Sequence, residues 1–194
     1  MRARRWPTSV RRWLGVLLAG FWAACMAEPP NAVLLVAKPG LVDPNFSRTV
    51  VLVTQAEDAS TVGVILNRPS SARYESTGES IYRGGPVMPR TIVALSRSES
   101  VPPVSSFQVL QGVYLSMHPG ILERLQPPYR LFAGFAGWMP GQLESEITRD
   151  GWYLLPAGEE LVFRRETANM WEELLDRASA HRTRAAAKET AVRH

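Results

Sequence analysis

Residues 32–67 read AVLLVAKPGLVDPNFSRTVVLVTQAEDASTVGVILN. Three apolar runs of strand length lie inside this stretch: Ala32–Lys38, Arg48–Gln55 and Thr61–Asn67. Each is rich in Val, Ile or Leu, and each ends on turn-forming or polar residues. The second and third runs are separated only by the polar turn Glu57–Ser60, which predicts an antiparallel hairpin. The third stops at Arg68-Pro69.

The same reading extends outward. Thr91–Ser96, Arg130–Ala136 and Trp152–Leu155 read as further strands, and Phe107–Met117 as a hairpin turning near Gln111-Gly112. Ser70–Ser80 and Arg97–Ser105 lack any hydrophobic period and are expected to be exposed loops. Helical patterns are few and late. His118–Leu125 is a short candidate ended by Pro127-Pro128, Gly141–Arg149 places Leu143 and Ile147 on one face, and Gly158–Phe163 is a helical turn or short strand. Thr167–Ala178 carries the apolar stripe Met170, Trp171, Leu174 and Leu175, with Thr167 as its expected cap. Strands in neighbouring groups with late, short helices predict a single α+β domain, with a mainly antiparallel or mixed sheet and short flanking helices.

The N-terminus precedes this domain. Residues 1–27 carry five arginines and no acid, then the apolar segment Trp13–Ala24, then Cys25, Met26 and Ala27. That order is the pattern of a secretory signal and implies processing near Ala24–Ala27 and a periplasmic or envelope location. Cys25, the one cysteine of the chain, is also a candidate for lipidation. A start at Met26 would instead give a cytosolic product. The domain is read as residues 28–180, and residues 181–194 as a basic tail expected to be flexible.

Charge narrows the function classes. The formal net charge is +4, but residues 28–180 hold 13 basic and 17 acidic side chains. The excess of cations sits at the two ends, so the domain lacks the basic surface that direct nucleic-acid binding requires. The sequence contains no P-loop, and Gly134-Phe-Ala-Gly137 lacks the spacing of a dinucleotide fingerprint. His118 is the one histidine of the domain and reads as a capping or surface residue. No metal site, cofactor or catalytic residue is assigned. Glu144 and Glu146, two apart on a helix, do not pair as an acid and a base.

Four stretches combine turn-formers, charges and aromatics: Pro39–Arg48 with Asp43, Asn45, Phe46 and Arg48; Gly63–Pro69 with Asn67 and Arg68; Tyr82–Pro89 with Gly84, Gly85 and Pro86; and Gly134–Ile147 with Gly137, Trp138, Gly141, Gln142 and Glu144. These are the candidate binding or structural-signature residues. In this order the blocks PG-x-x-DPNF, G-x-x-x-NRP, GGPV-x-P and G-x-AGW-x-x-GQLE-x-E resemble the signature blocks of the YqgE/AlgH family, over about residues 32–176. The resemblance implies a compact α+β fold with a β-sheet core and flanking helices, no firmly established activity, and a link to regulation of alginate production in some bacteria. Most members are expected to be cytosolic, and the signal-like N-terminus departs from that pattern, as does Ser96 where the family often has His. The expected function is a non-enzymatic binding or regulatory protein of the cell envelope, with a protein or small-molecule partner. The alternatives are a cytosolic transcription-linked regulator, or a hydrolase using Asp43, Asn67, Arg68 or Glu144.

Overall fold

The computed structural model describes residues 32–56, 58–99 and 106–192, with side chains through Thr183. The signal-like segment with Cys25, residue Glu57 and the loop residues 100–105 lie outside the described residues.

Ten strands are described: β1 (Ala32–Ala37), β2 (Val50–Gln55), β3 (Thr61–Ile65), β4 (Pro69–Arg73), β5 (Ser80–Arg83), β6 (Val87–Arg97), β7 (Ser106–Leu110), β8 (Val113–Ser116), β9 (Tyr129–Trp138) and β10 (Trp152–Pro156). A 3-10 helix spans Pro119–Arg124. The α-helices are α1 (Gln142–Thr148), the single turn α2 (Glu159–Val162) and α3 (Met170–Val192). The strands form one curled sheet in the order β10-β1-β2-β3-β9-β6-β8-β7, with β5 joining β9 and β4 joining β5. Every pairing is antiparallel except β5 with β9. This is the α+β, mostly antiparallel, single-domain fold that the sequence predicts.

The apolar runs are strands buried on both sides. In β1, Leu34 and Val36 join Leu52, Leu66, Phe132, Leu161, Met170, Trp171 and Leu174 under α2 and α3. The alternate residues Leu35 and Ala37 join Val51, Val53, Ile65, Trp138, Leu143 and Trp152 under α1. A third cluster, Ile81, Ala94, Ile121 and Leu131, lies beneath the 3-10 helix. Two-sided burial removes the alternation that a half-exposed strand would show.

Strand β9 organises the rest. Its residues Leu131–Ala133 pair with β5 on one side, and its residues Ala136–Trp138 pair with β3 on that same side. The switch occurs at Gly134, whose φ of 71° lies in the left-handed region that glycine alone adopts freely.

Several expectations change. Ser70–Ser80 is not wholly a loop: β4 and β5 form a hairpin there, on a polar, largely exposed segment that carries no hydrophobic period. Helix α3 begins at Met170, with the Asn169 carbonyl taking the first helical bond, from Glu173 N–H; Thr167 therefore does not cap it. The helix runs to Val192, past the expected end near Ala180. Its last turns hold Ala, Arg and Lys, which favour helix without needing a packed face. His118 is confirmed as a cap, its Nδ1 accepting the Gly120 N–H at 3.0 Å. Among the described residues no helix is long and apolar enough to cross a membrane.

Candidate functional site

The four sequence blocks adjoin one another in the fold, joined by hydrogen bonds and ring contacts. The first block is a loop between β1 and β2. The Asp43 carbonyl accepts the N–H groups of Phe46 (3.0 Å) and Ser47 (2.7 Å), and its side-chain Oδ1 accepts that of Asn45 (2.7 Å). Asp43 thus closes a tight turn on itself, as Asp before Pro is suited to do. The Asn45 side chain is exposed and contributes only its backbone. Phe46 turns inward, stacking on Trp138 at 5.4 Å between ring centroids and meeting Trp152 edge-on at 5.7 Å. Arg48, with φ of 57°, lays its guanidinium 4.5 Å from the Trp171 ring and pairs with Glu172 on α3.

The second block braces the first. Asn67 Oδ1 accepts the Val50 N–H at 2.8 Å, and its Nδ2 donates to the Arg48 carbonyl at 3.0 Å. The side-chain amide therefore acts as an extra strand residue beside β2. Arg68 donates to the carbonyls of Pro44 (3.3 Å) and Ser47 (3.1 Å). Burial, and the neighbouring charge of Arg83, lower the Arg68 pKa from its ordinary value. We expect Asn67→Ala to cost about 1–2 kcal/mol in urea unfolding, because a buried N–H and a loop carbonyl lose their partner together. Asn45→Ala should leave the midpoint where it is. Equal effects of the two substitutions would show that the Asn67 amide is not what holds the loop.

The third block fills the gap where β3 and β5 separate along β9. The Gly84 N–H donates to Ala133 O, and its carbonyl accepts the Ile65 N–H, both at 2.8 Å. Gly85 crosses directly over Phe135, where an added Cβ would lie 2.3 Å from backbone. Pro86 is exposed and leads the chain into β6.

The fourth block carries β9 into α1. Gly137 lies within β9 opposite Val62 and makes no turn; a Cβ there would meet only ordinary contacts. The turn is made at Gly141, the N-cap of α1, with φ of 80°, and Pro140 stands before the cap. Glu144 is exposed. The carboxylate that matters is Glu146. Its Oε2 accepts the indole N–H groups of both Trp138 (3.1 Å) and Trp152 (3.0 Å), and its Oε1 accepts Gln142 Nε2 at 3.2 Å. Glu146 belongs to the fourth block but is not one of the candidate residues. The available signal was the pair of tryptophans, since each buried indole N–H needs an acceptor.

A groove of about 860 Å³ runs between the loop Lys38–Pro44 and the turn from α1 into β10, with Glu146, Arg149, Asp150, Gly151 and Tyr153 on its far side. Lys38 is buried, its ammonium 4.3 Å from the Tyr153 ring centre and paired with Asp150. Arg182 of α3 reaches the same carboxylate at 3.5 Å. The hydrogen bond from Lys38 holds the Asp150 carboxyl below its usual range. Val42, on the loop side of the groove, is 91% exposed.

Arg130 of β9 was not flagged by the sequence. It is buried, donates to Val162 O (3.0 Å) and Leu66 O (2.7 Å), and lies 4.2 Å from the Tyr82 ring centre. Burial pushes its pKa down to about 10. It ties α2 to the end of β3. Among the described residues no three His, Cys, Asp or Glu side chains converge as a metal site would need.

A family model described as AlgH-like matches residues 34–182, which contain all four blocks. The chain belongs to the AlgH-like family. A member from Thermobifida fusca, named only as a UPF0301 protein, is 35% identical over 76% of this chain and 86% of its own length. Another, from Chlorobaculum tepidum, is 31% identical over 71% of this chain and 81% of its own. The solution structure of AlgH from Pseudomonas aeruginosa is similar with a TM-score of 0.63 at 25% identity, covering 80% of this chain and 90% of that one. A crystal structure from Corynebacterium diphtheriae is similar with a TM-score of 0.62 at 26% identity, covering 81% and 91%. The AlgH-like blocks are thus scattered in sequence and contiguous in the fold.

Proposed function

We propose that this chain is a non-enzymatic binding domain of the cell envelope with a regulatory role, and that the braced loop Pro39–Arg48 presents its recognition surface to a protein partner. One observation carries the reading. Asn67, Arg68 and Phe46 hold this loop in place from beneath, and its tip carries Val42 almost fully exposed. Binding residues gather on loops that a rigid scaffold positions. Of the groups that a hydrolase would draw on, Asp43 accepts the Asn45 N–H of its own turn, Asn67 and Arg68 hydrogen-bond to backbone, and Glu144 points to solvent. The acidic excess of residues 28–180 argues against duplex DNA as the partner. The envelope location rests on the signal-like residues 1–27.

The test uses the full-length chain in cells, with a photo-crosslinking residue in place of Val42 and, as a control, of Glu75 on the exposed β4–β5 turn. The expected result is a discrete cross-linked protein from position 42 alone, in the envelope fraction, with the mature N-terminus near Ala24–Ala27. A cytosolic product beginning at Met26 or Ala27 would remove the envelope from the proposal. Absence of any adduct at position 42 would remove the recognition surface.

A further inference from the structure

We propose that β10 is a docking edge for a second copy of this chain, the two β10 strands pairing antiparallel about Leu154. This goes beyond the loop reading and does not rest on it. Among the described residues three strands end the sheet: β4, β7 and β10. Two of them are protected. β4 begins with Pro69, ends with Arg73 and holds only Ser70, Ser71 and Ala72 between, the kind of short polar strand that resists pairing. β7 is turned onto β2, where its Gln108 carbonyl accepts the Thr54 hydroxyl at 3.4 Å. β10 has neither device along most of its length. It reads Trp-Tyr-Leu-Leu-Pro, and only Pro156, at its end, lacks a backbone donor.

The bond pattern shows which groups face outward. The Ala37 N–H donates to Thr49 O, beside β2, at 2.9 Å, and the Lys38 N–H donates to Gly151 O, beside β10, at 3.0 Å. Alternate residues of β1 therefore serve opposite neighbours, and Leu34 and Val36 serve β10. Their partners there are Leu155 and Tyr153. The N–H and C=O groups of Trp152 and Leu154 point away from β1, to an edge that no described strand covers. Leu154 lies opposite Leu35 of the cluster beneath α1 and is 46% exposed. With Leu154 on a two-fold axis, each Leu154 N–H meets the carbonyl of its copy and each Trp152 N–H meets a Pro156 carbonyl, while the two exposed leucines cover each other. Charge selects this partner over an arbitrary strand. Around the Trp152 end stand Lys38, Arg149 and Arg182 against Asp150 and Glu146. Beyond the Pro156 end stand Glu159 and Glu160, with Arg97 paired to Glu159. The first end is net positive and the second net negative, so an antiparallel copy lays opposite charges together at both ends. The joined strands hold five residues a side, a small interface and therefore a weak, concentration-dependent dimer.

The test is sedimentation of the full-length chain at concentrations from about 10 µM to about 1 mM, the range in which small interfaces associate. The expected result is a reversible monomer–dimer equilibrium. Leu154→Lys places like charges opposite each other on the axis and should raise the dissociation constant roughly tenfold or more. Leu154→Glu should do the same. Position 154 is half-exposed, so both variants should melt close to the parent. An equimolar mixture of the two should associate again, because opposite charges then meet at the axis. Val42→Lys, a like change on the loop, should leave the dimer intact. A chain that stays monomeric throughout, a dimer indifferent to Leu154→Lys, a mixture that does not recover, or a dimer lost in Val42→Lys would each overturn the proposal. Cross-linking at position 42 should be the same in Leu154→Lys as in the parent, so a failure of the dimer and a failure of the loop reading are told apart.

Discussion

Gly84→Ala is expected to unfold or severely destabilise the domain, by about 3 kcal/mol or more in denaturant titration, the upper end of overpacking costs. A methyl group at this position would lie 2.1 Å from the Gly134 carbonyl oxygen and 2.8 Å from the Phe132 Cβ. Neither neighbour is the loose end of a side chain. Both belong to β9, which is held on its other edge by β6. To admit the methyl, Gly84 must move off β9. That breaks its N–H bond to Ala133 O and the bond from Ile65 N–H to its own carbonyl. The junction where β9 changes partners would lose both of its ladder bonds at once, and buried backbone groups left unpaired are costly. Gly40→Ala is the matched control, because a Cβ there meets nothing within 4 Å. It should be neutral or slightly stabilising, as reduced freedom in the unfolded chain allows. If Gly84→Ala melts with Gly40→Ala, the close crossing of the third block over β9 is not a constraint on the fold.

What the sequence reveals and what it hides divide along physical lines. Runs such as Ala32–Lys38 and Thr61–Asn67 are legible because both faces of β1, β2 and β3 are covered, so nearly every residue is apolar. The β4–β5 hairpin is hidden because Pro69–Arg73 is largely exposed and carries no hydrophobic period. The later turns of α3 are hidden for a related reason: residues 181–192 carry no hydrophobic period to read. The signature blocks are visible as blocks, yet the roles inside them are not. Leu143 and Ile147 define the inward side of α1. At 3.6 residues per turn, Glu144 and Glu146 fall about 80° to either side of that stripe. The helical wheel is symmetric between them. Only the position of Trp138 and Trp152, fixed by a strand on each side of the helix, makes Glu146 the acceptor and leaves Glu144 in solvent. Gly137 and Gly141 present the same ambiguity, which the end of β9 resolves in favour of Gly141 as the turn.

Trp138→Ala should lower stability by about 3–5 kcal/mol, as truncation of a buried aromatic typically does. Trp138 is 3% exposed. Its ring stacks on Phe46 at 5.4 Å and lies 6.3 Å from Trp152, so its loss empties the centre of the cluster beneath α1. The indole N–H is the second contribution, because Glu146 would keep only the Trp152 donor on Oε2. Trp138→Phe separates the two: it retains most of the ring and should cost about 1–2 kcal/mol, chiefly the lost hydrogen bond to a charged acceptor. Ser145→Ala is the surface control. Its hydroxyl accepts only the exposed Arg149 guanidinium four residues on, so the change should stay within about 0.5 kcal/mol. Against the 5–15 kcal/mol that separates a typical folded domain from its unfolded chain, the alanine variant would lie near the edge of folding. It would also release Phe46, and with it the loop that displays Val42. Stability and cross-linking at position 42 should therefore fall together in Trp138→Ala, while Trp138→Phe keeps the cross-link. A Trp138→Ala protein that melts like the parent but no longer cross-links would make Trp138 itself a contact residue rather than the support of one.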